Sequence, residues 1–385
     1  MFAEQNIILN TYKMQYLKIL LLIMLTSTTT LSDAQTLNKN QSFTWGELPA
    51  IPDKFGFAGA FSGVAGGVLI VAGGANFPDG GAPWTGSKKV WTDKVFALDK
   101  TDGEWKLVGK LPEPMGYGVT VSIDGKLICV GGSNELGHSA KVYAISYHKG
   151  ELQIEKLKDL PQPLANMSGA LVKGKLYIAG GLAKPDAQEA SNVFYEIDLA
   201  KGDKANWNML ETWPGEPRML AVAGNCSGKF YLFSGTNLLK NAAGELERKY
   251  LTDAFCYEPE KGWKKLASLP NAVVAAPGPA YTKGKSLLVF GGDDGSLAKQ
   301  AAGLKEKHPG FSDQILAFEV KTNQWSVVGK IYKEIKADAG VNPNGSIWPA
   351  VTSSLVIWNN LLVFPSGEVR PAIRTPRIIT ATIHK

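Results

Sequence analysis

Short apolar segments recur along the chain. Each segment follows a two-residue turn that contains Gly or Asn, and each segment ends in a pair of small residues. Two-residue hairpin turns require positive φ angles, which Gly and Asn adopt at low cost. The pattern therefore predicts six β-hairpins. Their turns are Gly66-Gly67, Asp124-Gly125, Lys173-Gly174, Ser227-Gly228, Lys283-Gly284 and Asn359-Asn360, and their second strands lie in 68–74, 127–132, 176–181, 230–235, 287–292 and 361–366.

A third apolar segment and then a large apolar residue, which is Trp in four of the five units, follow each of the first five hairpins. The third strands are predicted at 95–98, 142–145, 193–197, 254–257 and 315–318. Trp105, Trp207 and Trp263 each precede a proline by seven residues, and Ile154 and Trp325 occupy the same place in their units. A large aromatic residue at a fixed place in each repeat is expected to pack between sheets, so we assign these residues no chemistry.

Four strands in each unit and a period of about 50 residues are typical of β-propeller blades. The two ends of the chain each supply only part of a unit: residues 43–45 form an outermost strand, and 378–383 form a third strand with no fourth after it. Pairing these ends would leave no open sheet edge. The sequence predicts an all-β, six-bladed propeller closed by its N- and C-terminal strands, and its repeats resemble Kelch repeats over residues 43–384.

Composition and charge narrow the classes of function. The 385 residues are 44% hydrophobic, enough for a large core, and the formal net charge is +6. The basic residues form no dense stripe with interleaved aromatic residues, so nucleic acid is not expected as a partner. A diffuse positive charge is compatible with an anionic small molecule.

The first 34 residues have the pattern of a secretory signal peptide. Lys13 and Lys18 precede the apolar run 19–25, and Ser32 and Ala34 are small residues at the two positions that a signal peptidase reads. The run is shorter than the roughly 20 apolar residues of a membrane helix, and no cysteine follows it for a lipid anchor. We expect a signal peptide at 1–34, starting at Met1 or Met14, a propeller at 35–385, and a periplasmic or secreted protein without a membrane anchor.

The cysteines are expected to be free, and the histidines are expected to be solvated or hydrogen-bonded surface residues. In the predicted blade, Cys226 ends a first strand and Cys256 lies on a third, so one strand separates them by about 9–10 Å. A disulfide fails beyond about 7 Å between Cα atoms, and Cys129 lies in an apolar strand. The four histidines, which are scattered along the chain, predict no metal site and no cofactor. They are His138, His148, His308 and His384.

The last hairpin carries the charged residues with the clearest chemical potential. After strand 361–366 come Glu368, Arg370 and Arg374 in a loop with a proline. The segment Gly-Glu-x-x-Pro-x-x-Arg-Thr resembles that of N-acetylneuraminate epimerases, the six-bladed sialic acid mutarotases. The resemblance implies that Glu368 accepts a proton and Arg374 contacts the substrate. Three further parts of the chain also resemble this family. The first is 73–77 together with Lys88-Lys89 and 91–93, the second runs from 117–120 to Gly132, and the third is 215–218.

The order of the blades differs from that family, because the blade with the glutamate comes last here and its usual successor comes first. This order resembles the cyclically permuted mutarotase group. A closed ring tolerates such a permutation, since moving the termini preserves every contact between blades.

The chemistry of the residues agrees with this resemblance. Anomer exchange of a 2-keto sugar acid needs a proton removed from the anomeric hydroxyl and a proton given to the ring oxygen, and Glu368 can serve as the base. Arg370 and Arg374 would favour its ionised form. Arg374 is the first choice to bind the sugar carboxylate in a bidentate manner and Arg218 the second, and Arg370 and Asn76 are further substrate-binding candidates.

Other interpretations stay open at this level. A glutamate flanked by two arginines is commonly a surface ion pair worth about 0–1 kcal/mol. A lectin would bind sialic acid without accelerating anomer exchange. A protein-interaction propeller would present an exposed apolar patch on its loop face.

Overall fold

The computed structural model describes residues 35–39 and 42–384, which are almost entirely β-strand, turn and loop. Six large antiparallel sheets follow one another as blades, and consecutive first strands contact each other around a central axis. The prediction of an all-β, six-bladed propeller is confirmed. The predicted signal peptide and start site lie outside the described residues, and the boundary at residue 35 stays a prediction.

Blades 1 to 3 each have four strands, which follow chain order from the axis outward. Blade 1 consists of Phe61–Ala65, Val68–Ala72, Lys94–Leu98 and Lys106–Lys110. Blade 2 consists of Val119–Ile123, Lys126–Asn134, Gly137–His148 and Glu151–Lys156. Blade 3 consists of Ser168–Val172, Lys175–Ala179, Phe194–Asp198 and Asn208–Met209.

Blades 4 and 5 repeat this arrangement, and blade 6 combines both ends of the described chain. Blade 4 consists of Val222–Cys226, Lys229–Phe233, Ala254–Glu258 and Gly262–Lys265. Blade 5 consists of Tyr281–Lys283, Ser286–Phe290, Gln314–Glu319 and Gln324–Lys330. Blade 6 consists, from the axis outward, of Val356–Trp358, Leu361–Pro365, Ile378–Ile383, Phe43–Leu48 and Gln35–Lys39.

The closure of the ring in blade 6 matches the prediction except at its outer edge. Strand Phe43–Leu48 pairs antiparallel with Ile378–Ile383, with Trp45 opposite Ala381. The prediction that residues 43–45 are outermost is wrong, because Gln35–Lys39 pairs with the free edge of Phe43–Leu48 and adds a fifth strand. Trp45 is 1% exposed, so the N-terminal strand contributes to the core as well as to the sheet.

Connections between second and third strands emerge on one face of the ring and carry additional short ribbons and helical segments. Three of them form two-stranded ribbons: Ala75–Asn76 with Val90–Trp91, Thr236–Lys240 with Leu246–Tyr250, and Glu368–Arg370 with Ile373–Arg374. One short α-helix, Ala301–Leu304, lies in blade 5. Short 3-10 segments are Pro83–Thr85, Leu199–Lys204, Lys305–Lys307 and Pro343–Gly345.

The small residues at the ends of the second strands are required by backbone geometry. Each of the six pairs has positive φ at both positions, including Gly131-Gly132, which lies within the longer second strand of blade 2; Gly73 and Gly74, for example, have φ of 63° and 93°. A Cβ on Gly73 would lie 2.1 Å from the carbonyl oxygen of Met115, so the strand end abuts the segment that enters blade 2. In blade 6, Ser366 and Gly367 keep the same conformation, with φ of 60° and 120°.

Five of the six predicted hairpin turns are confirmed, with positive φ at both central residues. The turn of blade 5 lies one residue later than predicted, because Lys283 pairs with Ser286 and the central residues are Gly284 and Lys285. Gly284 alone has positive φ there, at 62°.

The aromatic residues near the outer strands join neighbouring blades, as predicted. The indole N–H of Trp105 donates to the carbonyl of Pro49 at 2.8 Å, which links blade 1 to blade 6. Trp207, Trp263 and Trp325 make the same bond to the chain that leaves the preceding blade, at 3.1, 2.8 and 2.9 Å. Each bond satisfies a polar group in an otherwise apolar layer.

A closed ring of six backbone hydrogen bonds surrounds the axis just before the first strands. At each of its positions the φ angle is positive, and the N–H donates to the carbonyl of the corresponding residue in the preceding blade at 2.7–2.8 Å. The six residues are Gly59, Tyr117, Asn166, Leu220, Ala275 and Thr352. They also line an axial cavity of about 110 Å³, so the ring fixes the backbone at the mouth of the axis.

The cysteines occupy the predicted strands. Cys226 and Cys256 lie on the first and third strands of blade 4 with Lys229–Phe233 between them, and both are buried and free, as is Cys129. Within the described ranges, no helix has the length and apolar character needed to cross a bilayer.

Candidate functional site

The Glu368–Arg374 hairpin, which consists of the ribbon Glu368–Arg370 with Ile373–Arg374, contains the predicted base and the predicted substrate arginine. Glu368 is directly opposite Arg374 in register, so the two side chains start from adjacent backbone positions. The backbone of Glu368 exchanges two hydrogen bonds of 2.9 and 2.8 Å with Val351, the neighbour of Thr352 in the axial ring. The hairpin is thereby attached to the mouth of the axis.

Glu368 and Arg374 form an ion pair in which the two partners differ in exposure. The distance from Arg374 Nη2 to Glu368 Oε2 is 3.3 Å, and the side chains are 5% and 20% exposed, respectively. The other carboxylate oxygen accepts a 3.2 Å hydrogen bond from the backbone N–H of Ala372. The carboxylate is therefore oriented by the hairpin and still open to solvent on one side.

The guanidinium of Arg374 is covered but has unused donors. Its Cζ atom lies 4.7 Å from the centre of the Phe77 ring, which belongs to the loop of blade 1. Its Nε and Nη1 atoms are buried and have no hydrogen-bond partner among the described residues. A buried donor without a partner costs about 1–3 kcal/mol, so such donors favour the binding of an anion.

Two residues from neighbouring blades complete the surroundings of Arg374. The hydroxyl of Tyr117 lies 3.4 Å from Arg374 Nη2, and burial raises the pKa of this hydroxyl. The ammonium of Lys89 lies 5.0 Å from the centre of the Tyr117 ring and 4.4 Å from that of Trp91. The sequence prediction did not select Tyr117 or Lys89, although both lie in segments that match the family pattern.

Arg370 does not face Glu368, contrary to the expectation that it would help to ionise this carboxylate. Its side chain is 1% exposed, donates to the backbone carbonyl of Glu306 and lies 5.3 Å from the centre of the Trp348 ring. Burial lowers the pKa of its guanidinium. The register shifts between Glu368 and Arg370, which explains why this short strand directs the two charges to different surroundings.

Arg218 is a structural residue of blade 4 by its contacts. It is 0% exposed and forms a two-pronged ion pair with Asp253, at 2.8 and 3.0 Å. It also donates to the carbonyl of Ser234 at 2.9 Å and packs against the rings of Trp213 and Phe255. The structure does not bring Arg218 together with Glu368, and a side chain without exposed surface offers nothing to a ligand.

Asn76 lies beside the site and supports it indirectly. Its Nδ2 atom donates to Asp53 Oδ1 at 3.1 Å and to the carbonyl of Gly56 at 2.9 Å, so both donors hold the loop between blades 6 and 1. A Cβ on Gly56 would lie 2.0 Å from the carbonyl oxygen of Thr375. Glycine thus lets this loop pack against the end of the Glu368–Arg374 hairpin.

The loops of blades 1 and 5 meet at the flank of the hairpin. The indole N–H of Trp84 donates to Glu306 Oε1 at 2.6 Å, and this hydrogen bond lowers the pKa of the Glu306 carboxyl. Because the Glu306 carbonyl also accepts from Arg370, the two loops and the hairpin form one connected unit. Only the folded chain brings these residues together.

The geometry supports proton transfer beside a bound anion. Glu368 offers a partly exposed carboxylate, and Arg374 offers hydrogen-bond donors that have no partner among the described residues. Tyr117, which contacts Arg374, also lines the axial cavity. Neither Glu368 nor Arg374 lines that cavity itself. Among the residues that the structure describes, no cluster of three or more His, Cys, Asp or Glu side chains could hold a metal ion.

Comparisons with known proteins identify a family that matches most of the chain. The family model described as N-acetylneuraminate epimerase matches residues 26–154 and 157–385. The N-acetylneuraminate epimerase of Yersinia enterocolitica (serotype O:8) is 38% identical over 262 residues, 62% of this chain and 61% of the relative. The N-acetylneuraminate epimerase of Yersinia pestis (strain Pestoides F) is 39% identical over 241 residues, which cover 58% of this chain and 57% of the relative. That of Haemophilus influenzae (strain 86-028NP) is 29% identical over 238 residues, 56% of each.

The aligned segments thus span about three fifths of the relatives' length. A cyclic permutation would shorten a colinear alignment in this way, and the permuted blade order stays a prediction.

Proposed function

Because this chain belongs to the N-acetylneuraminate epimerase family, we propose that it interconverts the α and β anomers of N-acetylneuraminate by acid–base catalysis. The observation that carries the proposal is the pairing of Glu368 with Arg374 at 3.3 Å, with the carboxylate partly open to solvent. This arrangement presents a proton acceptor beside a binding group for a sugar carboxylate. The reaction needs no more from the protein than proton transfer and correct orientation.

Glu368 acts as the base. It removes the proton from the anomeric hydroxyl, the bond between the anomeric carbon and the ring oxygen breaks as the ring oxygen gains a proton, and an open-chain ketone forms. Rotation about the adjacent carbon–carbon bond then exposes the other face of the ketone to the ring oxygen. The hydrogen bond from Ala372 holds Oε1 of Glu368, which leaves Oε2, beside Arg374, as the oxygen that accepts the proton.

Arg374 binds the substrate carboxylate. Its Nη2 atom already contacts Glu368 and Tyr117. Nη1, the other terminal nitrogen of the guanidinium, has no hydrogen-bond partner among the described residues. A guanidinium matches two carboxylate oxygens, and charged hydrogen bonds of this kind are roughly twice as strong as neutral ones. Binding would also offset the cost of the donors that lack partners in the free protein.

The decisive experiment follows anomer exchange by proton NMR. α-N-Acetylneuraminate is released from an α-linked sialoside, and its conversion to the β anomer is recorded with and without the protein. A rate that rises in proportion to protein concentration supports the proposal. Binding of the sugar without acceleration would instead make the protein a lectin, and absence of both would favour an interaction platform.

We further propose that the protein acts in the periplasm or outside the cell. The proposal rests on the charged and then apolar pattern of residues 1–34, which lie outside the described residues. N-terminal sequencing of protein from the periplasmic fraction tests it. A mature chain that starts near residue 35 would support export, and an intact leader in the cytosolic fraction would contradict it.

A further inference from the structure

The proposed reaction needs a proton donor in addition to its base. When the sugar ring opens, the ring oxygen leaves the anomeric carbon and must gain a proton as Glu368 takes one from the hydroxyl. A single carboxylate can reach one of these oxygens more readily than both. The following inference rests on the proposed function and concerns the residue that supplies the second proton.

Lys89 is held at the site by the ribbon of blade 1. Ala75 pairs with Trp91 and Asn76 with Val90, so the backbone directly after Lys89 is fixed in a sheet. The ammonium lies between two aromatic rings, 4.4 Å from the centre of Trp91 and 5.0 Å from that of Tyr117. The side chain remains exposed, and none of the ion pairs between described residues includes it.

Lys89 and Glu368 are connected through Arg374 and Tyr117. Arg374 Nη2 lies 3.3 Å from Glu368 Oε2 and 3.4 Å from the Tyr117 hydroxyl, while Lys89 lies against the Tyr117 ring. The order of contacts is therefore Glu368, Arg374, Tyr117 and Lys89. The base is at one end of this series and the ammonium is at the other.

The structure of a 2-keto sugar acid fits this order. Its carboxylate is bonded to the anomeric carbon, and that same carbon carries both the anomeric hydroxyl and the ring oxygen. When the carboxylate is bound by Arg374, the hydroxyl can face one flank of the guanidinium while the ring oxygen faces the other. The two proton-transfer groups are needed on these two flanks.

We propose that Lys89 is the general acid that protonates the ring oxygen while Glu368 deprotonates the anomeric hydroxyl. In the opening step, the hydroxyl proton passes to Glu368, the carbon–oxygen bond of the ring breaks, and the ring oxygen takes a proton from the Lys89 ammonium. In the closing step, the oxygen attacks the other face of the ketone, returns its proton to the Lys89 amine, and the new hydroxyl recovers a proton from Glu368. Both groups end as they began.

The surroundings of Lys89 suit this role. Desolvation beside the rings and the positive charge of Arg374 lower the pKa of the ammonium, while Glu368 opposes the shift. Two titratable groups of blade 2 also face this region. Burial raises the pKa of Tyr117, which makes its hydroxyl a poorer acid, and desolvation lowers the pKa of His138, whose Nδ1 is 3.0 Å from the carbonyl of Leu182.

The test compares the variants Lys89→Met and Lys89→Arg with the control Lys88→Met in the full-length protein. Proton NMR follows the anomer exchange of N-acetylneuraminate, and the uncatalysed rate is subtracted. Lys89→Met should lower kcat by about 10²–10⁴-fold with KM changed only a few-fold, which is the usual contribution of a positioned acid. Lys89→Arg should not restore activity, because a guanidinium retains its proton. Lys88→Met removes the same charge from an exposed neighbour and should keep the parent kcat.

The pH profile separates an acid from a structural residue. The parent kcat should fall at alkaline pH as Lys89 loses its proton, and this limb should be absent in Lys89→Met. A Lys89→Met kcat within threefold of the parent, or full rescue by Lys89→Arg, would overturn the assignment while leaving the epimerase function intact. A parent protein that fails to accelerate exchange would overturn the function itself, and the assignment with it.

Discussion

Replacement of Glu368 by Gln separates the base from the rest of the site. Gln keeps the shape of the side chain and an oxygen that can accept the 3.2 Å hydrogen bond from Ala372, but it cannot take a proton at neutral pH. We expect the rate of anomer exchange to fall by about 10²–10⁴-fold. This corresponds to about 2.7–5.4 kcal/mol of activation free energy.

The same change has a smaller effect on stability. It removes the anionic partner of Arg374, whose side chain is 5% exposed, whereas that of Glu368 is 20% exposed. A pair of this mixed burial lies between exposed pairs and buried pairs, so the loss should be about 1–3 kcal/mol. The melting temperature should fall by roughly 1–4 °C, too little to unfold the protein at the assay temperature.

The assay measures anomer exchange by NMR, sialic acid binding by calorimetry and melting by circular dichroism. Glu155→Gln is the matched control, because it removes an exposed carboxylate that pairs with Lys126 at 2.9 Å on the outer part of blade 2. That variant should keep the parent rate. If Glu368→Gln also exchanged anomers at the parent rate, this hairpin could not be the catalytic site.

Four further predictions follow from the contacts described. Arg374→Lys keeps the charge without the two-pronged geometry, so it should mainly weaken sialic acid binding, with Arg374→Ala weaker again; calorimetry that gave equal affinities would contradict this. Arg218→Met should destabilise the protein by about 3–5 kcal/mol in urea unfolding, because it leaves Asp253 without its partner, while kcat of the folded protein stays unchanged. Thiol titration at pH 8 should find no reactive cysteine in the native protein and three after unfolding. The reason is that all three cysteines are buried and that burial raises the pKa of Cys256 to about 11. A single reactive thiol after unfolding would indicate a disulfide. Deletion of residues 41–52 removes the strand that closes blade 6, so we expect aggregation or a large fall in melting temperature, and a monomer that melts like the parent would refute the closure.

The sequence alone determined the fold and the pairing of Glu368 with Arg374 at the candidate site, because both depend on local chemistry. Turn residues and alternating apolar strands specify each hairpin over a few residues, and six repeats of one unit leave the closed ring as the arrangement without open edges. Glu368 and Arg374 are partners across one tight hairpin, so their proximity follows from a segment of seven residues. The fifth strand of blade 6 had no such repeat signal, and the prediction missed it.

The tertiary structure decided which charged residues lie beside Glu368 at the candidate site. Residue type gives Arg218, Arg370 and Arg374 the same capacity to bind an anion, yet Arg218 pairs with Asp253 and Arg370 faces the Glu306 carbonyl. Tyr117 reaches Arg374 from 257 positions away, through the packing of blades 1, 2 and 6 around the axis. Burial, side-chain direction and long-range partners arise only when the ring closes, because they depend on which loops meet at its mouth.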